Sequence, residues 1–263
     1  MEIKNVLCKS VLSRSGLKDS KFSINPYRGC SHSCIYCYAP YILREGRKWG
    51  TFVDIKTNAP EVLEKELKKI ESGTVLISSV TDPYQPLERK YEITRKILEK
   101  LKGKKLFISI LTKSSLVLRD LDLLKQLNCE VGITITTLND NIRKLFEPNA
   151  SSVESRLDTL KKLKEVGIRT YIFFGPMLPF ISDKNLEETL KLFSALGPEK
   201  IYFDKLNVKN PFQWKKIKTF LEENYVDLAE KWEKAISNNY YKELKEKIIE
   251  ICKNLSLNYE ICY

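Results

Sequence analysis

No stretch of this chain approaches the roughly 18 uninterrupted apolar residues that a membrane-spanning helix needs. Residues 1–6 carry no apolar signal-peptide core, so the expectation is a cytosolic protein without membrane contact. Low-complexity linkers are missing, and so is any convincing internal repeat. Disorder is excluded by composition, because 43% of the 263 residues are hydrophobic and 30% are charged. That balance suits one large domain, or a barrel with an appendage, with a sizeable core. Acidic residues are in short supply: 45 basic against 34 acidic side chains give a net charge of +11. Such an excess suits an acidic partner such as nucleic acid, and equally a lysine-rich solvated surface. Most of the excess lies before residue 205.

The seven cysteines are odd in number and uneven in place. Cys30, Cys34 and Cys37 crowd together, while Cys8, Cys129, Cys252 and Cys262 are scattered. A secreted disulfide scaffold would be shorter and more evenly stapled. The tight group therefore reads as metal-binding or catalytic.

Short apolar runs alternate with amphipathic segments along most of the chain. Asn58, Ala59 and Pro60 open a helix with Pro in its first turn, and Leu63, Leu67 and Ile70 give it an inward face. Strands are predicted at 74–80, 105–111, 131–136, 169–174 and 200–204, with helices at 88–102, near 117–127, and at 185–196. Ser151 and Glu154 have capping-box spacing before a further helix through Leu157, Leu160 and Leu163. Strands separated by helices of this length pair in parallel through right-handed crossovers. Five or six such units are too few to close an eight-stranded barrel, so the predicted fold is α/β, a partial, open parallel β/α barrel. Residues 1–205 would form that barrel with an N-terminal lead-in. Residues 206–263 would add a C-terminal helical extension within the same structural unit, ending in a strand at 258–262. In parallel barrels the chemistry gathers at the carboxyl ends of the strands, where Thr81-Asp82, Thr112-Lys113 and Thr136-Thr137 fall.

The segment at 25–38 reads NPYRGCSHSCIYCY, with its cysteines spaced C-x3-C-x2-C and an aromatic before the last. Three thiolates can hold three irons of a 4Fe–4S cluster whose usual ligand set is four cysteines. The fourth iron is then open to a small molecule. In this motif the sequence resembles the radical S-adenosylmethionine superfamily, and within it the spore photoproduct lyase-like (DNA repair photolyase-like) branch. The segments at 80–95, 112–123 and 134–140, with Glu147-Pro148 and Arg156-Leu157, carry the resemblance further, over about residues 10–185.

The resemblance implies a 4Fe–4S cluster on Cys30, Cys34 and Cys37 and S-adenosyl-L-methionine as the second cofactor. It implies reductive cleavage of that molecule to methionine and a 5′-deoxyadenosyl radical, which takes hydrogen from a substrate. Tyr36 would offer its backbone to the adenine, and Thr81, Lys113 and Thr134 would hold the methionine carboxylate and ribose. Arg156 is a further candidate for the carboxylate, and Gly175 with Met177 for the adenine. Tyr38 matches a tyrosine of the lyase-like radical relay, and Ser79 stands where those enzymes have a hydrogen-donating cysteine. A serine O–H is too strong to quench a carbon radical, which argues against thiol-assisted dimer repair. A ferredoxin- or flavodoxin-type reductant is implied, and a nucleic-acid substrate is favoured, with a protein or small molecule as the alternative.

Plainer readings stand beside these. Three cysteines with His32 could form a zinc site in a nucleic-acid-binding module without catalysis. His32 otherwise reads as a loop residue. The scattered cysteines read as apolar fillers, with an auxiliary cluster as the sharper alternative. Asp82 either contacts ligand or caps the turn before Pro83. Glu88, Glu92, Tyr91 and Arg95 read as a solvated helix face. Trp214, Trp232, Tyr240 and Tyr241 read as core aromatics, with base stacking as the alternative.

Overall fold

A computed structural model describes residues 1–16 and 19–263, and among them β-branched and aromatic runs bounded by glycine and polar turns form eleven strands. In order they are β1 (Glu2–Val6), β2 (Leu12–Arg14), β3 (Phe22–Ile24), β4 (Tyr27–Arg28), β5 (Phe52–Lys56), β6 (Gly73–Ile77), β7 (Leu106–Thr112), β8 (Cys129–Ile135), β9 (Arg169–Met177), β10 (Lys200–Lys205) and β11 (Tyr259–Ile261). The main sheet runs β11-β10-β9-β8-β7-β6-β3-β2. Every pairing in it is parallel except the β2–β3 pair. Its two edges, β11 and β2, do not pair with each other, so the barrel is open, as the small number of strand–helix units predicts. A separate small sheet, β1-β5-β4, was not predicted; its strands are short and mostly polar on one side, with little apolar periodicity to mark them.

Alternation along the strands divides the core. Ile108, Ile110, Val131, Ile133, Ile172 and Phe174 are almost fully buried beneath the outer helices. The intervening residues, among them Ser109, Thr134 and Phe173, point to the barrel interior and line its cavities. Among the described residues no helix is long and apolar enough to cross a membrane.

Several predicted elements shift at their ends. The strand expected at 74–80 stops at Ile77, because Ser78 takes a left-handed φ of 70° and turns the chain across the barrel mouth. The helix expected at 88–102 is broken at Glu92, which is left-handed. The predicted cap at Ser151 moves one residue. Ser152 accepts from the Ser155 amide, while the Ser151 hydroxyl accepts from the Ser115 amide. Nor is Glu88 solvated: its fully buried carboxylate accepts from the Tyr27 hydroxyl, the Thr94 and Arg95 amides, and Arg119. Spacing within one helix cannot reveal partners contributed by two distant segments.

The C-terminal helices at 211–224, 226–237 and 240–254 pack against the barrel flank. Phe146 stacks with Trp232 and Tyr225 and meets Phe220 edge-on. Trp232 is fully buried and Tyr241 is buried. Their aromatic surface is therefore core, and Trp214 packs against it.

Candidate active site

The cysteine segment follows β3 and β4 and crosses the carboxyl ends of the barrel strands. Its backbone is tied down from four directions. Gln85 accepts from the Ser31 amide at 2.8 Å, and Asn149 donates to the Ser31 carbonyl at 2.8 Å. The Ile35 amide donates to the Phe146 carbonyl at 2.9 Å. From the C-terminal region, fully buried Gln213 donates to the Tyr36 carbonyl at 3.1 Å and to the Asn207 carbonyl at 3.0 Å.

Beneath this loop lies a cavity of about 190 Å³ whose walls include Cys30, Cys34, Cys37, Tyr36, Tyr38, Ser79, Thr81, Lys113, Thr134 and Gly175. Ten of the twelve residues singled out in the sequence thus meet in one place, though they come from five chain segments. Arg156 and Met177 do not line it. Arg156 is almost wholly buried behind the wall, where its guanidinium donates to the Ser151 carbonyl, the Thr134 carbonyl and Glu147. With every edge of its fork engaged, it faces Glu147 and not the cavity. Met177 is fully buried in the core, and its carbonyl accepts from the Tyr241 hydroxyl at 2.8 Å.

The remaining residues divide by what already binds them. Thr81 donates its hydroxyl to the Gly29 carbonyl at 2.7 Å, bracing the cysteine loop. Tyr38, 41% exposed at the mouth, donates to the Ser79 carbonyl at 3.1 Å. The Ser79 hydroxyl accepts from Asn25 at 3.2 Å. Gly175 permits a tight crossing, since a Cβ there would lie 2.5 Å from the Phe173 ring. The ammonium of Lys113 has no hydrogen-bond partner among the described residues and stands 5.9 Å from the centre of the Tyr36 ring.

Asp82 both caps its turn and lines the cavity. It accepts from the Tyr84 amide, the Thr112 hydroxyl at 2.6 Å and the Lys113 amide at 2.8 Å. His32, itself 2% exposed, brings Nδ1 to 3.3 Å from Asp82. Burial opposes the Asp82 charge, but His32, Thr112 and the Lys113 amide outweigh it and hold the carboxyl below its ordinary range. Glu147 was quoted in the sequence only for resemblance, yet it joins the site from behind. It is fully buried and accepts from Tyr36, Arg156 and Thr136. Burial again opposes its charge, and Arg156 and Lys113 keep its pKa low. Its only sequence signal is its nearness to Arg156. Asn25 and Gln85 lie in the resembling segments with no role assigned to them there, and Gln213 lies outside those segments.

The thiols are the expensive part. Burial pushes the Cys30 thiol well up, aided by Asp82 and the neighbouring cysteines. Burial raises Cys34 to about 12 and raises Cys37 as well. Three dry, crowded thiols would become thiolates only against a strong local positive charge, which a metal centre supplies. Among the described residues no three His, Cys, Asp or Glu side chains converge as they would on a single ion. Buried Trp49 Nε1 and Ser78 Oγ lack hydrogen-bond partners in the same walls, as expected where a bound group completes the site.

A model of the Radical SAM superfamily matches residues 24–193. An uncharacterized protein of Methanocaldococcus jannaschii is 36% identical over 258 residues, covering 96% of this chain and 94% of the relative. The Radical SAM Nalpha-GlyT isomerase of Pseudomonas phage M6 is 27% identical, over 65% of this chain and 36% of its own length. Among solved structures, spore photoproduct lyase complexed with dinucleoside spore photoproduct superposes with a TM-score of 0.76 at 14% identity, covering 99% of this chain and 82% of that one.

Proposed function

This chain belongs to the radical S-adenosylmethionine superfamily and is an enzyme of that class, and we propose that it cleaves S-adenosyl-L-methionine to start hydrogen abstraction from a nucleic-acid substrate. The observation that carries the reading is the meeting of three cysteines, a half-buried lysine without a hydrogen-bond partner among the described residues, and two threonines in one cavity.

The residues present fit the family's two cofactors. Cys30, Cys34 and Cys37 would hold the 4Fe–4S cluster, and Lys113 would take the methionine carboxylate in a charge-assisted hydrogen bond. Thr134 and the backbone of Tyr36 and Gly175 would receive the rest of that molecule. When bound, the pair supplies one-electron cleavage of a carbon–sulfur bond, releasing methionine and an adenosyl radical that takes a hydrogen atom. The chain's contribution is placement and dryness. Arg156 acts through Glu147, which fixes the Tyr36 ring; Asp82 fixes Lys113 through its amide; Thr81 holds the loop at Gly29.

Tyr38 is the proposed hydrogen donor at the mouth, since Ser79 offers no thiol. It would give its phenolic hydrogen atom to a substrate radical and regain one electron and one proton from the external reductant and solvent. Enzymes of this superfamily need such a one-electron donor, here proposed to be a ferredoxin or flavodoxin type. The nucleic-acid reading rests on the +11 charge and on the dinucleoside named for the spore photoproduct lyase complex. The test is anaerobic reconstitution with iron and sulfide, followed by dithionite and S-adenosyl-L-methionine. Formation of 5′-deoxyadenosine supports the reading, and its acceleration by oligonucleotides supports the substrate class. A colourless, inert protein carrying one zinc would overturn it.

A further inference from the structure

Below Leu111 and Phe173 the barrel interior opens a second time. These two side chains line both the upper cavity and a lower one of about 730 Å³ at the amino ends of the strands. Parallel-barrel interiors are normally filled by layers of side chains, so a void of this size between strands is itself informative. Five of its lining residues are aromatic: Phe107, Tyr171, Phe173, Tyr202 and Tyr263. Among the described residues the charged ones that line it are Asp19, Glu130 and Glu260, with no lysine or arginine, in a chain with a net charge of +11.

The walls are built, not loosely assembled. Glu130 Oε1 accepts from the Ser109 hydroxyl at 2.9 Å, and that hydroxyl lies 3.3 Å from the Tyr171 hydroxyl. The Tyr171 and Tyr202 rings meet edge to face at 5.3 Å. Glu130 Oε2 accepts no hydrogen bond among the described residues, and burial raises the Glu130 carboxyl above its usual range. The Tyr263 hydroxyl is buried without a partner. At the rim, Lys200 pairs with Glu260 at 3.1 Å and stands 5.1 Å from the Tyr202 ring centre. Lys205 stands 5.7 Å from the Tyr263 ring centre. Two of these rings thus already carry ammonium groups from the protein.

We propose that the lower cavity is a binding site for an alkylammonium group, with the cation on Glu130 and its methylene chain against Phe107, Tyr171 and Phe173. A half-buried carboxylate with an open oxygen, as at Glu130, recognises an ammonium by a charge-assisted hydrogen bond, and aromatic faces add cation–π attraction. Three carboxylates repel a phosphate, so the site is chemically separate from the nucleic-acid reading above and does not depend on radical chemistry. Two sources share the required chemistry: a free aliphatic diamine and the side chain of a lysine residue.

Isothermal titration of the full chain with 1,5-diaminopentane and, separately, Nα-acetyl-lysinamide tests it, with 1-pentanol as the uncharged control. At least one amine is expected to bind while 1-pentanol does not. Tighter binding of the diamine identifies a free amine, and tighter binding of the lysinamide identifies a lysine side chain. Glu130→Gln is expected to weaken binding at least ten-fold with an unchanged circular dichroism spectrum. Tyr202→Leu, expected to weaken it by less, keeps the test open if Glu130→Gln does not fold. Absence of heat with both amines at millimolar concentration overturns the proposal, as does equal binding of 1-pentanol or unchanged affinity in the folded variants. Failure to make 5′-deoxyadenosine leaves this titration unaffected, so the two readings fall separately.

Discussion

The two ends of the barrel interior are written on the same strands and differ in almost every physical respect. β7 sends Phe107 and Ser109 to the lower cavity and is followed by Lys113 in the upper one. β8 sends Glu130 down and Thr134 up, and β9 sends Tyr171 down and Gly175 up. The lower end is shaped by strand side chains packing on one another. The upper end is shaped by loops, and its residues are held by partners such as Asn149 and Gln213 that lie far away in the chain. Polar groups below rest on strand neighbours, so their positions follow from register. Polar groups above depend on buried charges that themselves lie outside the barrel strands, at Asp82, Glu147 and Arg156.

The largest expected effect breaks the upper end alone. Cys34→Ala is expected to lose the visible absorbance of the reconstituted cluster while the chain stays folded; a variant with full absorbance would remove Cys34 from the ligand set. Next, Arg156→Met strands the Glu147 charge in a dry wall. Breaking such a pair costs about 3–5 kcal/mol, to be read as a fall in the urea midpoint. A midpoint within error of wild type would mean that Glu147 finds another partner.

The lower end is probed by Gly132→Ala, because a Cβ there would lie 2.1 Å from the Tyr171 ring. Overpacking of this kind costs about 1–3 kcal/mol. It is expected to lower thermal stability and leave cluster absorbance intact; loss of both would mean that the two ends are not separable. Lys113→Ala is expected to keep the cluster and weaken S-adenosyl-L-methionine about ten-fold, the scale of one charge-assisted hydrogen bond, measured by equilibrium dialysis.

The smallest effect is a difference in sign between two carboxylates. Glu147 has a folded pKa held below its ordinary 4.5 despite burial, by Arg156 and Lys113. Its contribution is present above 4.5 and is lost as pH falls through the lower folded value. Glu130 has its pKa raised above 4.5, chiefly by burial. Its folded state binds the proton more tightly, so stability declines as pH rises from 4.5 through the higher folded value. Urea midpoints between pH 3 and 7 for Glu147→Gln and Glu130→Gln should lose slopes of opposite sign. Parallel curves would refute the contrast.

The strand–helix alternation and the openness of the barrel were legible because β-branched runs between amphipathic helices have a strong period. The cysteine loop was legible from its spacing, and Tyr36, Lys113 and Thr134 from their neighbourhood in the resembling segments. The roles of Glu88, Asp82 and Glu147 were not, because each carboxylate takes partners from distant segments, as far as 111 positions away for Glu147, and no local pattern encodes such pairings. Arg156 was read as facing ligand because an arginine near an active site usually offers its fork outward; here the fork is spent on Glu147 and two carbonyls. The small sheet of β1, β4 and β5 escaped notice because β1 is largely exposed, β4 spans two residues, and buried β5 is only five residues long.

The hydrogen bond from Gln213 to the Tyr36 carbonyl also imposes an order on the protein's birth. A ribosome releases residues 30–37 long before residue 213, and chains fold progressively as they emerge, at about 5–20 residues per second. For those seconds the cysteine loop lacks one of its anchors, and Phe146 lacks the aromatic cover of Phe220, Tyr225 and Trp232. The loop reaches its final shape only after the C-terminal helices dock, so iron delivered to the nascent chain meets an unfinished site, and delivery to the completed fold meets a finished one.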